Sequence, residues 1–247
     1  ILHDHEIELS EAYVREGGSL IVTGQSGMFD SLGRPTVNDR WERLIGARID
    51  RRLDSLDNWF RFLPDVPSEL LGEIPADWSF LVKGPAAVFV PTSAQPFGQL
   101  LAPHRTTRQK EGREGTDWPM SPGDVVGPAV LVHKVGSGQV LTFAGSPDYA
   151  TSSEHHLVET RRLLTQAVRF LNPKPRVRIK APSNVQTIVT DDSEKRLCRI
   201  HLLAYSSPPQ SIPATNRPFV LPVPIEDDPL YRVSIELDCP IKTRRLG

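Results

Sequence analysis

The sequence of 247 residues contains only two cysteines, Cys198 and Cys239. Two cysteines exclude a disulfide-rich scaffold and a four-cysteine zinc site, and they leave open whether a single bridge forms. The formal net charge is -1, so the chain has no basic excess to pair with phosphates. Neither nucleic acid nor an anionic membrane surface is therefore predicted as a partner. No apolar run approaches the roughly 18 residues that a membrane-spanning helix needs.

The chain also lacks a signal peptide and an initiator Met, since it opens with Ile1-Leu2-His3-Asp4. This opening predicts a piece excised from a longer protein, and it predicts no cellular compartment. No cofactor is predicted either. The 23 prolines crowd the second half of the sequence, where they favour loops and β-structure over helices.

A glycine-rich loop, Gly24-Gln25-Ser26-Gly27, follows the short apolar run from Ser19 to Thr23. An α/β enzyme carries its nucleophile at such a strand end, on a sharp turn that leads straight into a helix. This loop misses the Gly-x-Ser/Cys-x-Gly spacing by one residue. The next residues, 28–35, contain Gly33 and Pro35 and do not begin a helix. The segment therefore predicts a fold, and it does not by itself predict a reaction.

The first fifty residues alternate helix and strand signals. We predict a helix from an N-cap at Asp4 to Glu16, stopped by Gly17-Gly18, and then a strand over 19–23. A second helix covers 38–45 and ends at Gly46, after which residues 47–50 return to the sheet. Short apolar runs without alternation favour a sheet covered on both faces, as in parallel α/β proteins.

Further along, residues 53–74 mix large apolar side chains with prolines, and no element is predicted there. Residues 86–90 and 99–102 are predicted strands, followed by a polar loop over 104–127. Residues 130–135 and 139–144 form a predicted hairpin whose turn contains Gly136 and Gly138. The strongest helical pattern comes next. It is capped by Ser152 or Ser153, and its apolar stripe consists of Leu157, Leu164, Val168 and Leu171.

A domain boundary is predicted where Asn172-Pro173-Lys174-Pro175 ends that helix and the apolar period changes from helical to two. Residues 197–205 read as a strand. Residues 231–239 alternate apolar and polar side chains, which is typical of a strand with one face on a core and one in water. We therefore predict an α/β domain over 1–172 and a smaller β-sandwich-like domain, possibly truncated, over 173–247.

Several segments resemble one known family. They are residues 12–24 (AYVREGGSLIVTG), 41–46 (WERLIG), 134–143 (KVGSGQVLTF) and 199–205 (RIHLLAY). The first three resemble the flavodoxin-like, glutamine-amidotransferase-like domain of multidomain glycoside hydrolases, which is called the trimerisation domain in β-galactosidase relatives. The fourth resembles the start of the β-sandwich that follows it. The resemblance covers roughly residues 5–205.

This resemblance implies that glycosidase chemistry belongs to a barrel domain upstream that the chain lacks. The present region would then pack against its own catalytic domain, shape the site, or form a homo-oligomer. True amidotransferases of this fold use a cysteine on a glycine-flanked elbow, whereas Cys198 and Cys239 both lie in predicted alternating strands. The resemblance therefore implies a non-catalytic accessory and oligomerisation region of a β-galactosidase-like protein.

Two alternatives from other classes stay open. The first is a free-standing hydrolase in which Ser26 is the nucleophile, His133 the base, and Asp30 or Asp148 the orienting acid. A pair of carboxylates could also hydrolyse a glycoside. The candidates for that pair are Asp30, Asp39, Asp124 and Asp148.

The second alternative is a carbohydrate-binding module. Asp148 and Tyr149 are the candidate ligand contacts, because they lie between a strand end and a helix start, where backbone amides gather. Four aromatic side chains could stack on sugar rings or belong to the core. They are Trp59, Phe60, Trp78 and Trp118.

Two further clusters have plainer explanations. Glu154-His155-His156 does not predict a metal site, since adjacent histidines on a helix face different directions and no third ligand is correctly spaced. A basic cluster, diluted by two glutamates, predicts a mobile surface loop or a contact with a partner. Its members are Arg105, Arg108, Lys110 and Arg113.

Overall fold

A computed structural model describes residues 2–104, 121–152, 157–182, 185–192, 194–195, 197–204 and 232–238. The chain divides into two compact units, Ile1–Pro173 and Lys174–Gly247, and each is described by itself. The first unit combines helices with strands, so the predicted mixed α/β class is confirmed. Its helices are α1 (Asp4–Arg15), α2 (Asp39–Ile45), α3 (Ser68–Leu71), α4 (Pro147–Ser152) and α5 (Val158–Leu171).

The strands of the first unit fall into three sheets. Their bounds are β1 (Ser19–Thr23), β2 (Ala47–Leu53), β3 (Asp57–Arg61), β4 (Ser79–Lys83), β5 (Ala86–Pro91), β6 (Gln95–Phe97), β7 (Gln99–Pro103), β8 (Pro122–Gly127), β9 (Val130–Val135) and β10 (Gly138–Phe143). One sheet has the order β1-β10-β9-β6, a second has the order β4-β3-β7-β8, and β2 pairs with β5 alone.

The pairing in these sheets is mainly antiparallel. Among the strands that the structure describes, only β1 and β10 pair in parallel. The predicted hairpin of β9 and β10 is confirmed, with the two-residue turn Gly136-Ser137. Such a short connection can join antiparallel strands only, which is one reason why the sheet is not the parallel one that the apolar runs predicted. The flavodoxin-like class is not confirmed.

Helix α2 begins and ends where its local signals predicted. The Asn38 side chain accepts hydrogen bonds from the backbone N–H groups of Arg40 and Trp41 at 3.0 and 3.1 Å. Gly46 follows the helix with a φ of 71°, the left-handed conformation that glycine adopts without strain. For α1 the predicted cap is wrong by one residue, since His3 is the N-cap and its backbone N–H donates to the Glu6 carboxylate.

An ion-pair cluster joins these two helices. The Arg40 guanidinium donates from Nε to Glu11 at 2.6 Å and from Nη1 to Glu8 at 2.5 Å. The Asn38 amide also donates to the Asp4 carboxylate of α1 at 3.0 Å. The start of α2 is thereby held against α1, which fixes one side of the loop that follows β1.

Two predictions on loops need correction. The polar loop over 104–127 contains β8, which pairs with β7 through two register shifts that the sequence does not reveal. Residues 105–120 of that loop lie outside the described part of the chain. The region 53–74, for which no element was predicted, contains β3 and α3. Strand β3 is paired on both sides, by β4 and β7, so tertiary pairing decides its structure.

The predicted apolar stripe of α5 is also displaced. The helix follows Leu157 as its N-cap, whereas Ser152 ends α4 and Ser153 lies outside the described residues. Thr160, Leu163 and Ala167 are fully buried, while Val168 is 55% exposed. Leu164 and Leu171 of the predicted stripe are half-buried against the core. The buried face is therefore centred on Thr160, Leu163 and Ala167, and Val168 lies outside it.

The described residues of the second unit form two strand pairs. Strands β11 (Val177–Lys180) and β14 (Ser234–Leu237) pair antiparallel, as do β12 (Val185–Asp192) and β13 (Leu197–Ala204). The predicted strand from residue 197 is confirmed to Ala204. Ile235 and Leu237 of β14 are 41% and 49% exposed, so the predicted buried face is wrong for this strand. Tyr231 and Cys239 lie outside the described residues, and the β-sandwich stays a prediction.

The assignment of the buried face of α5 can be tested by two alanine substitutions. Leu163→Ala removes a fully buried side chain, and we expect it to lower the free energy of unfolding by about 2–5 kcal/mol. Val168→Ala, on the exposed face, is the control and should change it by no more than about 0.5 kcal/mol. Urea unfolding followed by circular dichroism measures both. Equal losses for the two variants would contradict the packing of α5.

Candidate functional site

The carboxyl ends of β1 and β10 meet at one edge of the sheet, because these two strands run parallel. The backbone N–H of Gly24, just after β1, donates to the carbonyl of Phe143 at 3.1 Å and to that of Gly145 at 2.7 Å. Next to it, Ser146 Oγ donates to the Pro85 carbonyl at 2.7 Å. We call this region the carboxyl edge.

The close approach at the carboxyl edge requires glycine at position 24. Gly24 has a φ of +52°, and a Cβ there would lie 2.2 Å from Ser146 Oγ. A side chain at this position would displace the Ser146 hydroxyl from its hydrogen bond to Pro85, and it would need a backbone conformation that favours glycine. The first glycine of the loop thus allows two strand ends to touch, and it is needed for packing before any ligand is considered.

Ser26 turns back onto its own strand. Its hydroxyl donates to the Thr23 carbonyl at 2.7 Å, and its backbone carbonyl accepts a hydrogen bond from the Trp41 indole at 3.0 Å. The indole also fills the space beside Gly27, where a Cβ would lie 2.5 Å from its nitrogen. The candidate nucleophile is therefore held by hydrogen bonds within the loop and to α2.

Asp30 binds the turn that follows it. Its Oδ1 accepts from the backbone N–H groups of Leu32 and Arg34 at 2.9 Å each, and its Oδ2 accepts from the Arg34 guanidinium at 2.8 Å. The backbone N–H of Arg34, followed by its guanidinium, holds the pKa of the Asp30 carboxyl below its usual range. This carboxylate stabilises a turn, and no histidine among the described residues bonds it.

His133, the candidate base, lies on β9 and has both ring nitrogens in hydrogen bonds. Nδ1 is 2.9 Å from the Leu44 carbonyl, and Nε2 is 2.9 Å from Ser93 Oγ. A carbonyl can only accept, so Nδ1 carries the proton in the neutral ring and Nε2 accepts from Ser93. Within the described part of the chain, no hydrogen bond joins His133 to Ser26.

The contact between Ser93 and His133 resembles a Ser–His dyad. The groups around it, however, form hydrogen bonds to the carbonyls at the end of α2. The backbone N–H groups of Thr92, Ser93 and Ala94 all donate to the Gly46 carbonyl, at 2.9–3.0 Å. The last carbonyls of a helix lack partners within the helix, and here the loop and His133 supply them. The amide donors that could have bound an oxyanion are thus already used. Sequence analysis did not identify Ser93, because it is 40 positions from His133.

Asp148 and Tyr149, the candidate ligand contacts, lie on the short helix α4 beside the carboxyl edge. Both side chains are exposed, Tyr149 to 47%. The Tyr149 ring packs over Gly84, where a Cβ would lie 2.8 Å from the ring. The structure thus brings Tyr149 next to the Gly24 loop through Gly84 and Ser146, while Ser26, Asp30 and His133 are each bonded elsewhere.

A buried ion pair lies under Gly84 and was not predicted. Lys83 Nζ donates to Asp57 Oδ1 at 2.7 Å, and the two side chains are 8% and 3% exposed. The neighbouring Asn58 amide donates to the carbonyls of Ser55 and Gly84 at 2.6 and 2.8 Å. These polar groups fix the turn that carries Gly84, and they come from two paired strands whose register the sequence did not show.

The other predicted sites are spread over the surface or outside the description. Asp39 and Asp124 are exposed, on α2 and β8. Trp59 is half-buried, Phe60 is fully buried and Trp78 is 53% exposed. Cys198 is half-buried, on the same strand as Ile200 and Leu202. Glu154-His155-His156, Trp118 and the basic cluster of 105–113 lie outside the described residues.

No group of three or more His, Cys, Asp or Glu side chains among the described residues could hold a metal ion. No helix in the described part of the chain is long and apolar enough to cross a membrane.

Comparison with known proteins gives matches in structure alone. No protein-family model and no curated protein matches the chain. The fold is similar to part of α-L-fucosidase isoenzyme 2 from Paenibacillus thiaminolyticus, with a TM-score of 0.66 and 19% identity over 97% of this chain and 33% of that one. At this identity the likeness shows the fold alone.

Two β-galactosidases are more distantly similar. The enzyme from Bacillus circulans sp. alkalophilus has a TM-score of 0.49 and 16% identity, over 76% of this chain and 23% of that one. The enzyme from Rahnella sp. R3 has a TM-score of 0.48 and 16% identity, over 76% and 24%. This chain thus spans one third or less of each of the three structures. Its neighbours include glycoside hydrolase chains, of which it matches only a part.

Because the pKa of Asp30 is lowered, the stability that this turn adds to the fold depends on pH. A carboxylate whose pKa is lower in the folded than in the unfolded state adds stability above the unfolded value, about 3.9, and this stability is lost as the pH falls through the folded value. We expect the neutral variant Asp30→Asn to be less stable than wild type at pH 7, with a difference that shrinks below about pH 4. Urea unfolding at pH 7 and pH 2.5 measures this. A pH-independent difference would contradict the charged role of Asp30.

Proposed function

We propose that this chain is a non-catalytic accessory and oligomerisation region of a glycoside-hydrolase-like protein whose catalytic barrel lies outside residues 1–247. We further propose that the first unit is a flavodoxin-like, glutamine-amidotransferase-like domain of the β-galactosidase trimerisation type. The second unit would be the start of a β-sandwich. Its partners would be the catalytic domain of the same protein or a second copy of the chain.

The observation that carries this proposal is the match to one third of the α-L-fucosidase structure. Nearly the whole chain, 97%, takes part in it. A region that corresponds to one part of a larger glycoside hydrolase is more simply understood as an attached domain than as a complete enzyme. The activity of that neighbour belongs to its own chain, and the β-galactosidase part of the proposal rests on the sequence resemblance.

The hydrogen bonds of Ser26 and His133 also support a non-catalytic role. Acyl transfer needs a nucleophile within hydrogen-bond reach of a base, and free donors for the oxyanion. Ser26 instead donates to the Thr23 carbonyl, and His133 bonds Leu44 and Ser93. The three amides beside Ser93 are directed at Gly46.

Exposed apolar side chains on the first unit support a docking role. Four of them, on α1 and the loop after β1, are more than half exposed: Leu9 (58%), Tyr13 (56%), Leu32 (72%) and Val37 (64%). Leu9 and Tyr13 are four positions apart on α1 and so share one face of the helix. Apolar surface of this kind favours burial against another domain or copy.

The non-catalytic part of the proposal is tested by turnover assays on the whole chain. The substrates are the 4-nitrophenyl glycosides of β-D-galactose and α-L-fucose, with 4-nitrophenyl acetate as the ester. We expect any release of nitrophenol to be the same for wild type and Ser26→Ala. Turnover that Ser26→Ala abolishes, while the variant stays folded by circular dichroism, would support the free-standing hydrolase instead.

The oligomerisation part is tested by light scattering. At about 100 µM we expect the wild-type mass to be a multiple of 27.5 kDa. In the double variant Leu9→Ser/Tyr13→Ser we expect the dissociation constant of the oligomer to rise at least about tenfold. Val168→Ser, on the exposed face of α5, is the matched control. A monomer at this concentration would show that oligomerisation is not a property of this chain alone.

A further inference from the structure

A cavity of about 280 Å³ lies between the loop after β1 and strand β2. It is lined by Met28, residues 35–37 and residues 49–52, and we call it the Arg52 cleft. Met28 and Ile49 give it apolar walls, and Met28 itself is only 2% exposed. Arg51 and Arg52 border the same space, so the cleft combines an apolar body with two guanidinium groups.

A β-bulge shapes this side of the cleft. The pairing of β2 with β5 shifts register between Ile49 and Arg51, so Asp50 is the extra residue. In a regular strand consecutive side chains point to opposite faces, whereas here four consecutive residues border one cavity. Bulges re-aim side chains in this way, and they are frequent beside binding sites.

The charges in the cleft do not cancel. Arg51 Nη1 lies 3.0 Å from the Asp50 carboxylate, so this pair is neutral overall. Arg52 has no acceptor among the residues that the structure describes, although its side chain is half-buried. Its Cζ atom lies 5.0 Å from the centroid of the Phe29 ring, a cation–π contact that favours this position of the guanidinium group. One positive charge with five N–H donors is thus positioned beside an apolar cavity.

We propose that the Arg52 cleft binds a carboxylate carried on a compact body no larger than one sugar ring. The planar guanidinium matches a carboxylate in a bidentate geometry, which a stacked, pre-positioned arginine favours. The volume lies just below the range of about 300–1,000 Å³ for ligand sites, so the cleft itself holds about one ring or one side chain. The carboxylate comes either from a free sugar acid or from an acidic side chain, and the chemistry at Arg52 is the same.

The test is an NMR titration of the full chain with D-galacturonate, D-galactose and N-acetylglutamate amide as probes. We expect galacturonate to shift the backbone amides of residues 49–52, and galactose, which lacks the carboxylate, to leave them unchanged at the same concentration. Arg52→Gln should weaken galacturonate binding by about tenfold or more, as for the loss of a hydrogen bond to a charged group. Arg48→Gln is the matched control, since Arg48 is exposed on the same strand and does not line the cleft.

The outcomes separate the sources and can overturn the proposal. Tighter binding of galacturonate identifies a sugar acid, and tighter binding of N-acetylglutamate amide identifies an acidic side chain. The proposal is wrong if neither acid shifts these amides at 20 mM, or if galactose shifts them equally. Unchanged affinity in Arg52→Gln, or stronger binding of inorganic phosphate, would also overturn it. The comparison of galacturonate with galactose uses wild-type protein, so it stands even if a variant does not fold.

Discussion

The parallel pairing of β1 with β10 brings two strand ends to one edge of the sheet, where Gly24 has a φ of +52° and a Cβ would lie 2.2 Å from the Ser146 hydroxyl. Its N–H bonds the carbonyls of Phe143 and Gly145, while Ser146 bonds the neighbouring Pro85. Once these contacts form, the path of the loop after β1 is set. Trp41, held by the cap of α2, then closes the other side of that loop through the Ser26 carbonyl.

Three polar residues that suggested chemistry in the sequence form hydrogen bonds to backbone groups of the fold. Ser26 satisfies a strand-end carbonyl, Asp30 holds a turn, and His133 bonds a carbonyl at the end of α2. Buried or half-buried backbone groups need such partners, and side chains of these types supply them. Arg52 has no acceptor among the described residues, and unlike Arg48 on the same strand it lines a cavity. We therefore place recognition at the Arg52 cleft and assign structural roles to the loop.

Features encoded within a few residues could be predicted from the sequence. Asn38 and Gly46 mark the ends of α2, and the glycine turn marks the β9–β10 hairpin, because capping and turn preferences act locally. Features that depend on contacts between residues far apart in the sequence could not be predicted. Strand β8 reaches β7 through irregular register, the face of α5 is decided by tertiary packing, and Ser93 meets His133 only after three strands have assembled. The bulge at Asp50 that shapes the Arg52 cleft depends in the same way on the pairing of β2 with β5.

The central claim is that no serine near the carboxyl edge or His133 is an activated nucleophile. The most direct measurement is the intact mass of the chain after incubation with a fluorophosphonate probe, which forms a stable adduct with activated serines. We predict no adduct on Ser26 or Ser93 after about an hour with about a tenfold excess of probe. Stoichiometric labelling of either serine, lost in His133→Gln, would contradict it and would support a hydrolase.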